Sequence, residues 1–215
     1  MILRYADLLA LAGPWPVFES ASLRALGEDP RTVGVQLSRW VSAGKLVQLR
    51  RGKYLLPAAL RRSPAPLETI ANLLVSPSYV SLERALSLHS LIPEAVPVVQ
   101  SVTSGRPGRF VTPAGIFEYR HVKPTWFFGY RELAIGQGSA LVATPEKALL
   151  DLFYLSTGAI TPSRLAQYRF QELAQLDCDG LRAMAAKAKS PRLERAAKRL
   201  CEMSSVEGDW EKVGA

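Results

Sequence analysis

The chain has 215 residues and is 48% apolar, which suits one or two domains with a real core. No stretch reaches 18 consecutive apolar residues, so no membrane-spanning helix is expected. The opening residues Met1 to Asp7 lack the basic-then-apolar pattern of a signal peptide, and a cytoplasmic protein with no membrane partner is expected.

Charge is more informative. There are 27 Lys and Arg against 19 Asp and Glu, a net charge of +8. Residues 30–66 hold Arg31, Arg39, Lys45, Arg50, Arg51, Lys53, Arg61 and Arg62 and no acidic residue, so this one segment carries the whole excess. Basicity concentrated in this way predicts a local positive field that attracts a polyanion. Cys178 and Cys201 lie 23 residues apart and near no histidine, which is neither a zinc spacing nor a disulfide framework.

In chain order, Tyr5, Leu8, Leu9, Leu11 and Ala12 recur at helical spacing, and Gly13-Pro14 stops that helix. Val17-Phe18 reads as a short extended piece. Ser20 can cap a second helix with Leu23, Ala25 and Leu26 facing inward, ended by Gly27. Asp29-Pro30 opens the third: Asp is a strong N-cap, and proline at the first helical position loses no hydrogen bond. Val33, Leu37, Trp40 and Val41 form its buried stripe, and Arg31, Thr32, Val35, Gln36, Ser38, Arg39 and Ser42 its outer side. Gly44 stands where a C-terminal cap belongs. Gly34, inside the helix, costs about 1 kcal/mol against alanine, so a close approach by a crossing helix or a nucleic-acid backbone is expected there.

Residues 45–56 follow as two alternating apolar runs around Arg50-Arg51-Gly52, a β-hairpin with a basic tip. Three helices and such a hairpin, in that order, predict a winged helix-turn-helix over residues 1–56. On that fold Arg31, Gln36 and Arg39 have the chemistry to read guanine or adenine, and Thr32 and Ser38 suit phosphate or base contacts. Arg50, Arg51 and Lys53 would meet phosphates or the minor groove, and the third helix's N-terminal amides a phosphate.

Residues 57–66, with three prolines and Arg61-Arg62, read as a linker whose arginines either add phosphate contacts or are simply solvated. Residues 67–215 then predict a mixed α+β domain. Helices are expected over 67–76 and 81–91, and strands over 96–103, 109–112 and 116–122, followed by the aromatic segment Trp126 to Tyr130. Thr144-Pro145-Glu146 reads as the capped start of a helix reaching Leu155. A helical end from 162 to 203 is broken near Cys178-Asp179-Gly180 and Ser190-Pro191. The fold class is therefore α+β, a winged helix-turn-helix joined to a domain with a small sheet and a helical tail.

Enzyme chemistry finds little footing in this composition. Glu146 and Asp151 do not share an ideal helix face, Lys147 and Asp151 at i, i+4 read as a surface ion pair, and His89 and His121 lie in unrelated contexts. Gly105-Arg106-Pro107-Gly108-Arg109 lacks the lysine and following helix of a phosphate loop, and reads either as a tight turn or as part of a minor-groove hook. No catalytic residue, cofactor or metal is expected.

Three stretches together resemble the bacterial AbiEi-type antitoxins, regulators from abortive-infection toxin–antitoxin operons. They are Gly44 with Arg51-Gly52-Lys53-Tyr54; residues 78–86 with His89 and Leu91-Ile92-Pro93; and residues 143–152 with Tyr154. With Phe127-Phe128-Gly129 the similarity spans about residues 5–160. Arg84 stands where that family has a small residue, and Ser90 where it has glycine. The resemblance implies a repressor that binds operator repeats in its own promoter, and a second domain that opposes a nucleotidyltransferase-like toxin without a tight complex. The other reading is a protein-interaction module that neutralises such a toxin by direct binding.

Overall fold

The computed structural model describes residues 4–12, 17–24, 29–61 and 64–213, the side chains of 11, 12, 24 and 207–213 excepted. The expected stop at Gly13-Pro14, the inward positions Ala25 and Leu26, the terminator Gly27, and Arg62 lie outside the described residues. The protein is a mixed α+β structure with a three-stranded and a six-stranded sheet. Among the described residues no helix is long and apolar enough to cross a membrane.

The first part runs α1 (Tyr5–Ala12), β1 (Val17–Glu19), α2 (Ser20–Arg24), α3 (Pro30–Ser42), β2 (Val47–Arg50) and β3 (Lys53–Leu55). The strands lie in the order β1-β3-β2, both pairs antiparallel. Helix α3 begins as its sequence dictates: the Asp29 carboxylate accepts the Thr32 amide at 2.9 Å, and Pro30 follows it. It ends at a left-handed glycine. Gly44 has φ +69, its amide donates to Val41, and the Lys45 amide donates to Trp40, so orphan carbonyls of the last turn are satisfied.

Alternation along the small sheet gives it two apolar faces. Tyr54 joins Leu8, Leu23, Val33, Leu37, Trp40, Leu46 and Leu56 in a core under the three helices, with Phe18 stacked on it at 5.8 Å. Val17, Leu49 and Leu55 belong instead to the core of residues 67–201. Residues 57–66 are thus a covalent connection, made partly of a short 3-10 turn at Ala58–Leu60, across which the packing is continuous.

The second part contains α4 (Leu67–Leu74), β4 (Ser78–Val80), α5 (Leu82–Leu88), β5 (Val98–Thr103), β6 (Gly108–Thr112), β7 (Gly115–His121), β8 (Tyr130–Ile135), β9 (Gly138–Ala143) and α6 (Pro145–Leu155). The helical end is α7 (Pro162–Gln167), α8 (Cys178–Lys187) and α9 (Pro191–Val213). The sheet order is β6-β7-β5-β4-β9-β8, with β4/β9 and β5/β7 parallel and the other pairs antiparallel. Three of these strands depart from expectation. β4 is three residues long and buried throughout, so it shows no alternation. The β8–β9 hairpin stands beyond an aromatic segment that is itself a 3-10 turn and a loop, not a strand. The expected break near Cys178 falls just ahead of it, between the 3-10 turn at Leu173–Gln175 and α8, where Asp177 caps α8 by accepting the Gly180 amide at 2.9 Å.

Candidate nucleic-acid interface

Helix α3 divides its side chains cleanly. Val33, Leu37 and Trp40 are buried, and Trp40 meets the Tyr5 ring edge-on at 5.3 Å. Arg31, Thr32, Ser38 and Arg39 are exposed on the other side and Gln36 is half-buried. Arg31 and Arg39 have no carboxylate within reach among the described residues. Gly34 faces open space: a Cβ there would meet nothing within 4 Å, so no crossing helix of the described chain accounts for it.

The amides at the α3 N-terminus are not free for phosphate, contrary to expectation. The Asp29 carboxylate accepts both the amide and the hydroxyl of Thr32, the latter at 3.1 Å, and these bonds hold its pKa below the usual carboxylate range. The Thr32 hydroxyl is therefore committed to the cap in the free protein.

The hairpin tip is likewise less free than its sequence implies. Lys53, expected as a surface cation, is buried: its side chain is 11% exposed, and its ammonium meets Glu19 Oε1 at 2.7 Å and donates to the Leu73 carbonyl at 2.6 Å. It joins β3, β1 and the end of α4, and it holds the Glu19 carboxyl below its ordinary pKa. Arg50 is half-buried, with its guanidinium 5.7 Å from the Phe110 ring centroid on β6, a cation–π distance. Arg51 alone of the three stands exposed. The turn is anchored by the Ser20 amide, which donates to the Gly52 carbonyl at 2.9 Å. Arg61 is half-buried, and its Nε donates to the Leu56 carbonyl at 2.7 Å, so it braces the connection.

Local reading of the chain missed a second cluster in residues 67–215. Lys147 and Asp151 do pair at i, i+4 on α6, but not on the surface: both are 0% exposed. The Asp151 carboxylate also accepts Trp126 Nε1 at 2.8 Å, the Tyr79 hydroxyl at 2.9 Å and the Ser81 hydroxyl at 2.8 Å. The Lys147 ammonium lies 4.2 Å from the Trp126 ring and 5.0 Å from the Phe128 ring. Burial drives the lysine's pKa down and the aspartate's up, and their mutual attraction opposes both shifts. Gly129, at φ +75, closes the box, since a Cβ there would stand 3.0 Å from Lys147 Cγ. Glu146 does not complete a capping box with Thr144. Its Oε1 accepts the Asp177 amide at 3.1 Å and ties α6 to the start of α8.

The remaining sequence candidates also have structural partners. His89 Nε2 donates to the Ala143 carbonyl and His121 Nδ1 to the Gly105 carbonyl, both at 2.8 Å. The Gly105 to Arg109 stretch is a tight connection into β6, with Arg106 and Arg109 exposed. Arg84 is paired with the buried Glu68 through Nε at 2.7 Å and donates to the Val96 carbonyl at 2.7 Å. Among the described residues no group of three His, Cys, Asp or Glu is placed to hold a metal ion. A comparison with models of known families finds no match to this chain, and no curated protein matches it.

Proposed function

We propose that residues 5–55 form a winged helix-turn-helix that binds duplex DNA, and that the chain is a cytoplasmic transcriptional repressor of its own operon and the antitoxin of a toxin–antitoxin pair. One observation carries the DNA reading. Arg31 and Arg39 stand exposed on the face of α3 opposite its core stripe, with no carboxylate partner among the described residues. A helix fits the major groove, and arginines about two turns apart on its outer side reach base edges. The β1-β3-β2 sheet supports this assignment, since it presents the Arg51 turn as a wing beside a three-helix unit. The antitoxin part rests on the motif resemblance alone.

Fluorescence anisotropy with DNA upstream of the gene tests the reading. Arg39→Ala should weaken specific binding by about 1–3 kcal/mol if it reads a base. If Arg31→Ala and Arg39→Ala both bind as the wild type does, the reading fails. Rescue of cells expressing the neighbouring reading frame tests the antitoxin part.

A second reading, direct capture of a toxin by the second domain, is favoured by an apolar groove. This groove of about 670 Å³ is lined by Leu165, Phe170, Leu173, Met203 and Val206 between α7 and α9. Co-elution of the two proteins in gel filtration supports that reading, and separate elution dismisses it.

A further inference from the structure

One side chain on the outer face of α3 has no place in either a core or a solvated cationic surface. Val35 is 52% exposed, and no other large apolar side chain of α3 among the described residues is exposed. It stands at i+4 from Arg31 and i−4 from Arg39, so helical geometry puts it midway along the row that the two arginines define. Beside that row runs a second one of small residues, Gly34, Ser38 and Ser42, and the two enclose a shallow concavity along the helix.

We propose that Val35 contacts a thymine methyl group and makes thymine a required base of the DNA this protein binds. The inference rests on the DNA-binding reading above and adds the base it selects. The edges of a duplex in the major groove are polar except at one place, the C5-methyl of thymine, and an apolar side chain on a groove-facing helix gains only there. Valine is short, so the contact requires the helix backbone to lie close to the bases. Gly34 and Ser38 permit this, because nothing longer stands beside Val35 on that side, and a Cβ added at Gly34 meets no atom within 4 Å. Arg31 and Arg39 lie about 6 Å to either side along the helix axis, or about two base steps, so guanines at that spacing from the thymine complete the expected element.

The test uses the full chain and a random duplex pool. Bound duplexes are selected and sequenced. Each thymine in the enriched element is then replaced singly by deoxyuridine, which differs only in lacking the methyl group. The wild type should lose about fourfold in affinity at one thymine, the equivalent of one buried methyl. Val35→Ala should bind the thymine and uracil duplexes equally, while melting as the wild type does because the side chain is outside the core. Wild-type binding that is indifferent to every such replacement overturns the proposal, as does Val35→Ala that keeps the discrimination. A chain that enriches no duplex at all removes the DNA-binding reading with it, so the two failures are distinguishable.

Discussion

Helices α3 and α6 open alike, with an oxygen-bearing cap followed by proline, and then dispose of their charges in opposite ways. On α6, Lys147 and Asp151 are withdrawn from water and every nearby donor is turned toward the carboxylate. On α3, Arg31 and Arg39 are exposed and have no carboxylate partner among the described residues. Ion pairs cost desolvation when buried and gain little when exposed, so the two arrangements answer different needs. The α6 pair specifies how three distant segments meet. The α3 cations are left on the surface, with no such role among the described residues.

The comparison is easiest to break at α6. Asp151→Asn leaves the Lys147 ammonium buried beside Trp126 and Phe128 with no counter-charge, and unfolding in urea should show a loss of about 3–5 kcal/mol. Adding Lys147→Met should recover much of it, because the remaining box is apolar. A midpoint unchanged in Asp151→Asn would mean that the pair is not structural. DNA affinity per folded molecule should be unaffected by either change.

The hairpin sharpens the contrast within four residues. Lys53→Met removes a charged donor from Glu19 and the Leu73 carbonyl and should cost about 1.5–3 kcal/mol of stability. It should leave the salt dependence of DNA binding unchanged. Arg51→Ala should do the reverse, with an unchanged unfolding midpoint and a log–log salt slope flattened by about one unit. If Lys53→Met flattens the slope and Arg51→Ala destabilises, the two roles are exchanged and the hairpin docks differently from the structure.

Acid separates the cap of α3 from its cationic face. The bonds from Thr32 depress the Asp29 pKa below 3.8, so the cap's contribution is complete above that value and is lost as pH falls through the lower folded one. Asp29→Asn keeps a capping oxygen without the titration and should remove this part of the acid sensitivity. Asp29→Ala should lower the melting temperature at neutral pH while leaving Arg31 and Arg39 chemically intact. A melting temperature unchanged in Asp29→Ala would detach the cap from the stability of α3.

Much of this could be read from local sequence, where the physics is local. Caps such as Asp29-Pro30 and Thr144-Pro145 act on amides three residues away, and Gly44 marks its own left-handed turn. The outward setting of Arg31 and Arg39 follows from the spacing of Val33, Leu37 and Trp40. What could not be read depends on partners far along the chain. Lys53 looks like its neighbours Arg50 and Arg51 until α4, twenty residues later, supplies Leu73. Asp151 looks like half of a surface pair until Tyr79 and Ser81, 72 and 70 residues earlier, close over it. β4 has no period because both its faces are covered. The β8–β9 hairpin went unread, although its signal is local: Gly136 and Gly138 bracket a turn, and the run before it places Leu133 and Ile135 on one side and Glu132 and Ala134 on the other.

The smallest expected effect tests the comparison most directly, because folding and binding should pull in opposite directions at one atom. Gly34 sits in the interior of α3, where glycine is a poorer helix former than alanine by about 1 kcal/mol. The added methyl meets no atom within 4 Å, so nothing in the isolated protein opposes Gly34→Ala, and the variant should be more stable by about that amount. If the outer face of α3 lies against a duplex, the same methyl intrudes on the closest part of the contact, and affinity should fall while stability rises. A variant that gains stability and binds DNA as tightly as the wild type would show that the backbone does not approach the bases at this point. The glycine would then have no explanation in the folded chain or in its complex.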